Sequence, residues 1–404
     1  MISLLLGDCL VKLKDIPGNS VDSIITDPPY GLVSIQKRFG KKGAAPAQYG
    51  NDGSFARLSG GFMGKKWDGT GIEYNVEMWA ECLRVLKPGG HLLAFGGTRT
   101  YHRMACAIED AGFEIRDMIE WVYGSGFPKS MNIALVIDKQ KGIQGQRGVG
   151  GFNVSGKGEQ NNRKAILFKG SITDNSRLPA YTNDNNEWNG WGTALKPAHE
   201  PICMARKPIS EKNVAENVLK WRTGGINIDE SRVGTTGRFP ANLIHDDSDE
   251  VRECFPETKS GIGSFKAEDY EKKQTATNFT RGDYNGRGDS GNASRFFKSI
   301  IYTSKASTSE RNEGCEKLED GAIYIHKNNH PTVKPVALME YLIKMVTPKG
   351  GIVLDPFMGS GSTGVAARIN NYSFIGIEID KDYYKIAESR INSINPLFKT
   401  QEVR

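Results

Sequence analysis

The chain reads as an α/β protein built on a mostly parallel sheet, and three features predict this. Apolar strand-like runs alternate with helical stretches over residues 1–125. A strand, a glycine-rich turn, a helix and a second strand follow one another near the end. A short motif of unusual composition closes one of the early strands.

The first strand is expected at Ile2 to Leu6, which runs directly into Gly7-Asp8. The second is Val21 to Thr26, apolar enough to lie in the interior of a sheet. Val76 to Leu86 and Thr98 to Ala111 carry helical spacing, and His91 to Phe95 and Glu114 to Val122 read as strands. Lys87-Pro88-Gly89-Gly90 ends one helix and starts a strand, and Lys349-Gly350-Gly351 repeats the device, so both are structural turns.

The motif that closes the second strand is Asp27-Pro28-Pro29-Tyr30. Prolines lack N–H groups, so their carbonyls are left as acceptors; Asp27 adds a charged acceptor and Tyr30 an aromatic face. Together they suit a flat heterocycle that bears an exocyclic amine, which would donate to the acceptors and stack on the ring.

Far downstream, Ile352 to Asp355 reads as a buried strand and Pro356-Phe357-Met358-Gly359-Ser360-Gly361 as the turn after it. Ser362 or Thr363 is expected to cap the following helix, which continues through Val365 to Asn371. A further strand, Ser373 to Ile377, ends in Glu378, about twenty residues beyond Gly359, the offset at which nucleotide folds place an acid on ribose hydroxyls. Phe357 stands where a dinucleotide fold would have its first glycine, so the turn fits S-adenosylmethionine better than NAD.

These two motifs, in this order, resemble the β class of DNA amino-methyltransferases. His330-Pro331-Thr332-Val333-Lys334-Pro335 is similar to that family's HPTxKP element, Gly7-Asp8-Cys9-Leu10 to its GDCL element, and Ala198-His199-Glu200 to the AHE segment before its target-recognition region. The resemblance covers residues 1–35, 72–130, 190–210 and 326–395.

It implies a Rossmann-like S-adenosylmethionine-dependent methyltransferase fold with an inserted target-recognition region. The expected division is a catalytic half over 1–125, an inserted region over 126–325 and a cofactor-binding half over 326–404. It implies catalytic roles for Asp27, Pro28, Pro29 and Tyr30. Cofactor contacts are implied for Asp8, Asp355, Phe357, Gly359, Gly361, Glu378, His330, Thr332 and Lys334, the last three near the amino-acid end. DNA is the implied partner, in the manner of restriction–modification enzymes, with a homodimer as the family's plausible assembly.

The composition agrees. A net charge of +6 over 404 residues is mildly basic, as a polyanion partner would favour. The six cysteines form no CxxC pair and no zinc spacing with the six histidines, so reduced thiols, no metal and a cytoplasmic location are expected. No stretch approaches the ~20 apolar residues of a membrane span.

Attack on cytosine C5 would need a cysteine nucleophile, and the chain contains no Pro-Cys pair. Protein amide methyltransferases carry Asn at the position of Asp27 and place the cofactor turn first. The resemblance favours adenine N6 over cytosine N4 as the target, since the family's cytosine enzymes more often carry Ser in place of Asp27. RNA methylation and a non-catalytic nucleic-acid-binding relative are the remaining alternatives. Two stretches break the α/β pattern: residues 36–71, a solvated loop or DNA-facing arm, and the Asn/Gly-rich region after Gly124, whose Arg281 to Gly288 tract reads as a linker or groove-reading loop. Trp121 and Tyr123, at a strand end, are core residues or the opposite wall of the base pocket.

Overall fold

The structure is a computed structural model that describes residues 1–31, 47–49, 53–55, 70–124, 126, 130–142, 146–147, 181–182, 186–234, 237–259, 289–300, 308–315, 328, 330 and 332–394. The Arg281 to Gly288 tract lies outside them, as does most of 36–71 apart from Thr70, Gly71 and an antiparallel pair, Ala47–Tyr49 with Gly53–Phe55.

One nine-stranded sheet organises the larger of two compact units, formed by Met1–Ser125 and Ala198–Arg404. Its strands in chain order are β1 (Ile2–Leu6), β2 (Val21–Thr26), β3 (Leu86–Phe95), β4 (Glu114–Val122), β5 (His199–Arg206), β6 (Leu243–His245), β7 (Lys298–Ser299), β8 (Ile352–Asp355) and β9 (Ser373–Glu378). They lie side by side as β1-β9-β8-β2-β3-β5-β4-β6-β7. Every pairing is parallel except those of β5, which runs antiparallel to β3 and β4. β3 begins at Leu86 rather than His91, because Leu86 already pairs with Val21 ahead of a register shift.

Both faces of the sheet are covered at its centre, where nearly every residue of β2, β3 and β8 is buried. Ile25, Leu93 and Phe95 point into one core with Trp121, Leu338, Val365 and Phe374, while Ile24, Leu92 and Ala94 enter another with Trp79, Ile108 and Leu354. Helix α1 (Val76–Val85) starts where the Asn75 side chain accepts from the N–H groups of Glu77 and Met78, and it buries Met78, Trp79, Cys82 and Val85 along one stripe. Helix α2 (Tyr101–Asp110) begins after Thr100, whose side chain makes no capping bond.

The smaller unit, Gly126–Pro197, holds helix α3 (Ile133–Gln140) and a short antiparallel pair, Gln146–Arg147 with Tyr181–Thr182. Within it, Asn186 donates to the Asp138 carboxylate at 2.9 Å, and Trp188 meets Trp191 edge-on at 5.3 Å. The single insertion expected over 126–325 is therefore two things. Residues 126–197 form a body of their own, whereas 198–206 return to the sheet as β5, where Ile202, Cys203 and Ala205 are fully buried. An apolar strand in mid-sheet has to join the core to be dehydrated on both faces.

The chain returns to the core through helices α4 (Val214–Trp221), α5 (Val336–Val346), α6 (Ser362–Ile369) and α7 (Lys381–Ser393). Among the described residues no helix is long and apolar enough to cross a membrane.

Candidate active site

β2 leads by way of α1 to β3 on one side, while its other neighbour, β8, leads by way of α6 to β9. Between β2 and β8 the direction of winding reverses, which opens a crevice beyond the carboxyl ends of the strands. Because β5 runs antiparallel, it is its beginning, with Glu200, that reaches the same edge. A cavity of about 380 Å³ lies there, lined by Asp8, Asp27, Pro28, Pro29, Tyr30, Glu200, His330, Thr332, Lys334, Asp355, Phe357, Gly359 and Glu378. Two motifs more than three hundred residues apart thus face one cavity. Gly361 is not among the lining residues.

Lys334 is buried, with its ammonium 2.6 Å from Asp27 Oδ2, 3.1 Å from the Tyr30 hydroxyl and 3.2 Å from Glu200 Oε2. The Tyr30 hydroxyl donates to Glu200 Oε2 at 2.8 Å. The Lys334 ammonium also lies 4.9 Å from the Phe95 ring centroid. Asp27 Oδ1, by contrast, is buried and has no hydrogen-bond partner among the described residues. Burial raises the Asp27 carboxyl above its ordinary value, Lys334 opposes that, and Glu200 adds to it. For Lys334, burial alone would lower the ammonium, but Asp27 and Glu200 outweigh it and the net direction is upward. Burial, with both carboxylates, also raises the Tyr30 phenol, which keeps it protonated.

The backbone at Tyr30 is clamped from α2. Thr100 spends its hydroxyl on the Tyr30 carbonyl, at 2.7 Å, rather than on its own helix. A Cβ at Gly97 would come within 3.2 Å of the Tyr30 ring.

Across the cavity, the turn after β8 is held by Asp355. Its Oδ1 accepts from Thr26 Oγ1 at 2.6 Å and from the Phe357 N–H at 3.1 Å, and its Oδ2 accepts from Thr363 Oγ1 at 2.6 Å. Burial lifts its pKa to about 6 against these donors. Asp355 faces the cavity, but its oxygens are engaged in joining β2, the turn and α6. The expectation that Ser362 or Thr363 caps α6 is corrected. Gly361, with φ of 83°, is the cap residue, and Thr363 sits inside the helix with its hydroxyl turned to Asp355. A Cβ at Gly361 would stand 3.0 Å from the backbone of Ala387, so this glycine lets α7 approach.

Gly359 has φ of 55°, and a Cβ there would lie 2.9 Å from His330 Nε2. Its N–H donates to Glu378 Oε2 at 2.8 Å, and the Asp380 N–H donates to Oε1 at 2.8 Å. Burial raises Glu378 to about 7, with the two N–H donors pulling the other way. A carboxylate accepts about four hydrogen bonds, so roughly half of this one's capacity is left over. His330 packs edge-on against Tyr383 at 4.5 Å, and Asp8 caps the short helix after β1 by accepting from the Leu10 N–H at 2.8 Å.

Three contributors were not read as site residues from the sequence, although Glu200 stood in the segment noted before the target-recognition region. Glu200 reaches the cluster only because β5 reverses direction. Arg390 of α7, almost fully buried, donates to the Ser360 carbonyl at 2.6 Å and braces the turn from behind. Arg311 donates to the His330 carbonyl at 2.7 Å. Trp121 and Tyr123 pack edge-on at 5.6 Å within the core, and neither is among the residues that line the cavity.

The type II methyltransferase M.HindIII of Haemophilus influenzae is 25% identical over 399 residues, spanning 95% of this chain and 93% of that protein. M2.DpnII of Streptococcus pneumoniae is 48% identical over 66 residues, which is 16% of this chain and 25% of that methyltransferase. The structure of the PvuII DNA methyltransferase, cytosine-N4-specific, aligns over 98% of this chain and 88% of its own at 14% identity, with a TM-score of 0.45. The family model described as DNA methylase, which covers N6 and N4 enzymes, matches residues 21–389, nearly the whole chain, and the chain belongs to that family.

Proposed function

We propose that the protein methylates the exocyclic amine of a base flipped out of duplex DNA, with adenine N6 as the target. The observation that carries this reading is Asp27 Oδ1: a buried acceptor without a partner among the described residues, at the wall of the cavity. An unpaired buried acceptor costs roughly 1–3 kcal/mol, so its retention points to a donor that arrives with the substrate.

The methyl donor is S-adenosylmethionine, as in the family, and the lining residues fit it. Glu378 retains acceptor capacity for ribose hydroxyls, Gly359 admits a close approach of the backbone, and Phe357 and Ile379 offer apolar walls. When bound, it supplies an electrophilic methyl group.

The chain's own residues supply orientation. A ring-conjugated amine is a poor nucleophile because its lone pair is delocalised. Asp27 Oδ1 and the Pro28 carbonyl would each accept one N–H, which favours the pyramidal nitrogen that forms during transfer and turns its lone pair toward the methyl group. Such acceptors act mainly in the transition state and are worth ~10²–10³ in rate each. Tyr30 would stack on the flipped base and offset part of the few kcal/mol that flipping costs. The proton released from the methylated nitrogen passes to Asp27, whose burial raises its affinity for it. Adenine is preferred here because Asp, not Ser, stands at position 27.

The test is to incubate the protein with duplex DNA and methyl-labelled S-adenosylmethionine, then to digest the DNA and separate its nucleosides. N6-methyladenine is expected. N4-methylcytosine would overturn the choice of base, and label in RNA alone would overturn the choice of nucleic acid.

A further inference from the structure

The cluster at Asp27 contains more charge than acceptor geometry alone requires. Asp27 and Glu200 bring two carboxylates and Lys334 one ammonium, from three separate segments, into the same corner of the cavity. Glu200 Oε2 is the shared point: it takes the Tyr30 hydroxyl at 2.8 Å and lies 3.2 Å from the Lys334 ammonium.

We propose that Glu200 is a positioning residue for methyl transfer, holding Tyr30 and Lys334 so that Asp27 meets the target amine with Oδ2 committed and Oδ1 open. This rests on the function proposed above. An ammonium has three protons, and here three acceptors surround it: Asp27 Oδ2, the Tyr30 hydroxyl and Glu200 Oε2. With all three in place the lysine has no proton to spare for Asp27 Oδ1. The Tyr30 hydroxyl has a single proton, and Glu200 takes it. Without Glu200, that proton and one from Lys334 would both lose this acceptor, and the carboxylate that remains beside them is Asp27. The open oxygen would then be occupied by the protein itself.

Charge leads to the same residue. Two carboxylates and one ammonium leave the cluster one negative charge. During reaction a methyl group moves from sulfonium to nitrogen, the new N–C bond takes the nitrogen lone pair, the S–C bond pair stays on sulfur, and the nitrogen must shed one proton. That proton neutralises the surplus charge, on Asp27, and leaves Lys334 and Glu200 paired. The ionisable groups that face Asp27 are Lys334, Glu200, Tyr30 and Asp355. Removal of the Glu200 charge makes Asp27 easier to ionise and a weaker proton acceptor.

The experiment compares the wild type with Glu200→Gln and Glu200→Ala in steady-state methylation of a duplex that contains the methylated site, over a pH series. For Glu200→Ala, kcat should fall ~10–10²-fold with KM for S-adenosylmethionine within a few fold, as for a misplaced reacting group. For Glu200→Gln, which keeps shape and one acceptor oxygen, the loss should be smaller and the acid limb of kcat should move to lower pH. A merely structural residue would leave that limb in place. If Glu200→Ala fails to fold, the isosteric Gln variant still decides through the pH limb. Unchanged kcat in both variants, or an unmoved acid limb in Glu200→Gln, overturns the inference alone. A wild type that methylates no DNA amine overturns the proposed function, and this inference with it.

Discussion

Lys334 Nζ lies 2.6 Å from Asp27 Oδ2, although the two residues are 307 positions apart. Family resemblance implied a place for Lys334 near the amino-acid end of the cofactor, and its ammonium is seated on the Asp27 carboxylate. Buried ion pairs are weak evidence for stability, because desolvation offsets the attraction, but loss of one partner is costly. Lys334→Met should therefore leave Asp27 unpaired and buried, lower stability by about 3–5 kcal/mol or drive Asp27 to protonate, and lower kcat more than it raises KM for S-adenosylmethionine. Denaturant melts and steady-state kinetics on the same preparation would show this. A variant that loses only cofactor affinity would return Lys334 to the cofactor site.

Asp27→Ala removes the open acceptor. We expect kcat to fall by ~10²–10³ or more while cofactor affinity stays within a few fold, since the lost bond matters mostly in the transition state. Single-turnover methylation together with calorimetric titration of S-adenosylmethionine separates the two. Near-normal turnover would remove Asp27 from the chemistry.

Glu378 should make cofactor binding depend on pH. Burial raises its carboxyl to about 7, so in the free protein it is protonated below that pH and ionised above it. Ribose hydroxyls donate best to the ionised form, so affinity for S-adenosylmethionine should strengthen as pH rises from below 7 to above it. Glu378→Gln should flatten this dependence and weaken binding about tenfold or more, as the loss of charge-assisted bonds worth ~1.5–3 kcal/mol implies. Equal affinity for wild type and variant at high pH would exclude the contact.

Thr363→Val keeps shape but removes a donor from the buried Asp355 carboxylate, to which its hydroxyl lies at 2.6 Å. Stability should drop by ~1–3 kcal/mol, the usual cost when a buried charged acceptor loses a partner. The turn after β8 should loosen with it, visible as faster amide exchange at Phe357 and Gly359. Unchanged stability would mean that Thr26 and the Phe357 N–H satisfy Asp355 without help.

Gly361→Ala tests the close approach of α7. A left-handed backbone costs a non-glycine residue ~1–2 kcal/mol, and a Cβ would stand 3.0 Å from the Ala387 backbone, which cannot swing aside. The melting temperature should fall by a few degrees. No change in melting would show that α7 has room to shift.

Much of this molecule was legible in the linear chain. β1, β2 and β4 occupy the runs expected, Ile2–Leu6, Val21–Thr26 and Glu114–Val122, because short runs rich in large apolar residues are a local signal; β4 carries four charged residues and is exposed over Ile115 to Met118, so its buried Ile119 and Trp121 mark it. The strand, turn, helix and strand around Phe357 were readable for a similar reason: glycine spacing and the offset to Glu378 are local properties. Motif order pointed to the family, and those motifs do face one cavity. Long-range contacts decided the rest. β5 reverses direction, which no local pattern announces, and only that reversal carries Glu200 to Tyr30 and Lys334. Local propensity made Thr363 look like a cap residue, but a tertiary partner, Asp355, claimed its hydroxyl, and the Thr100 hydroxyl went likewise to the Tyr30 carbonyl. Which oxygen of Asp27 is paired and which is open depends on a lysine 307 residues away, and such pairings exist only once packing has excluded the water that would otherwise satisfy each group.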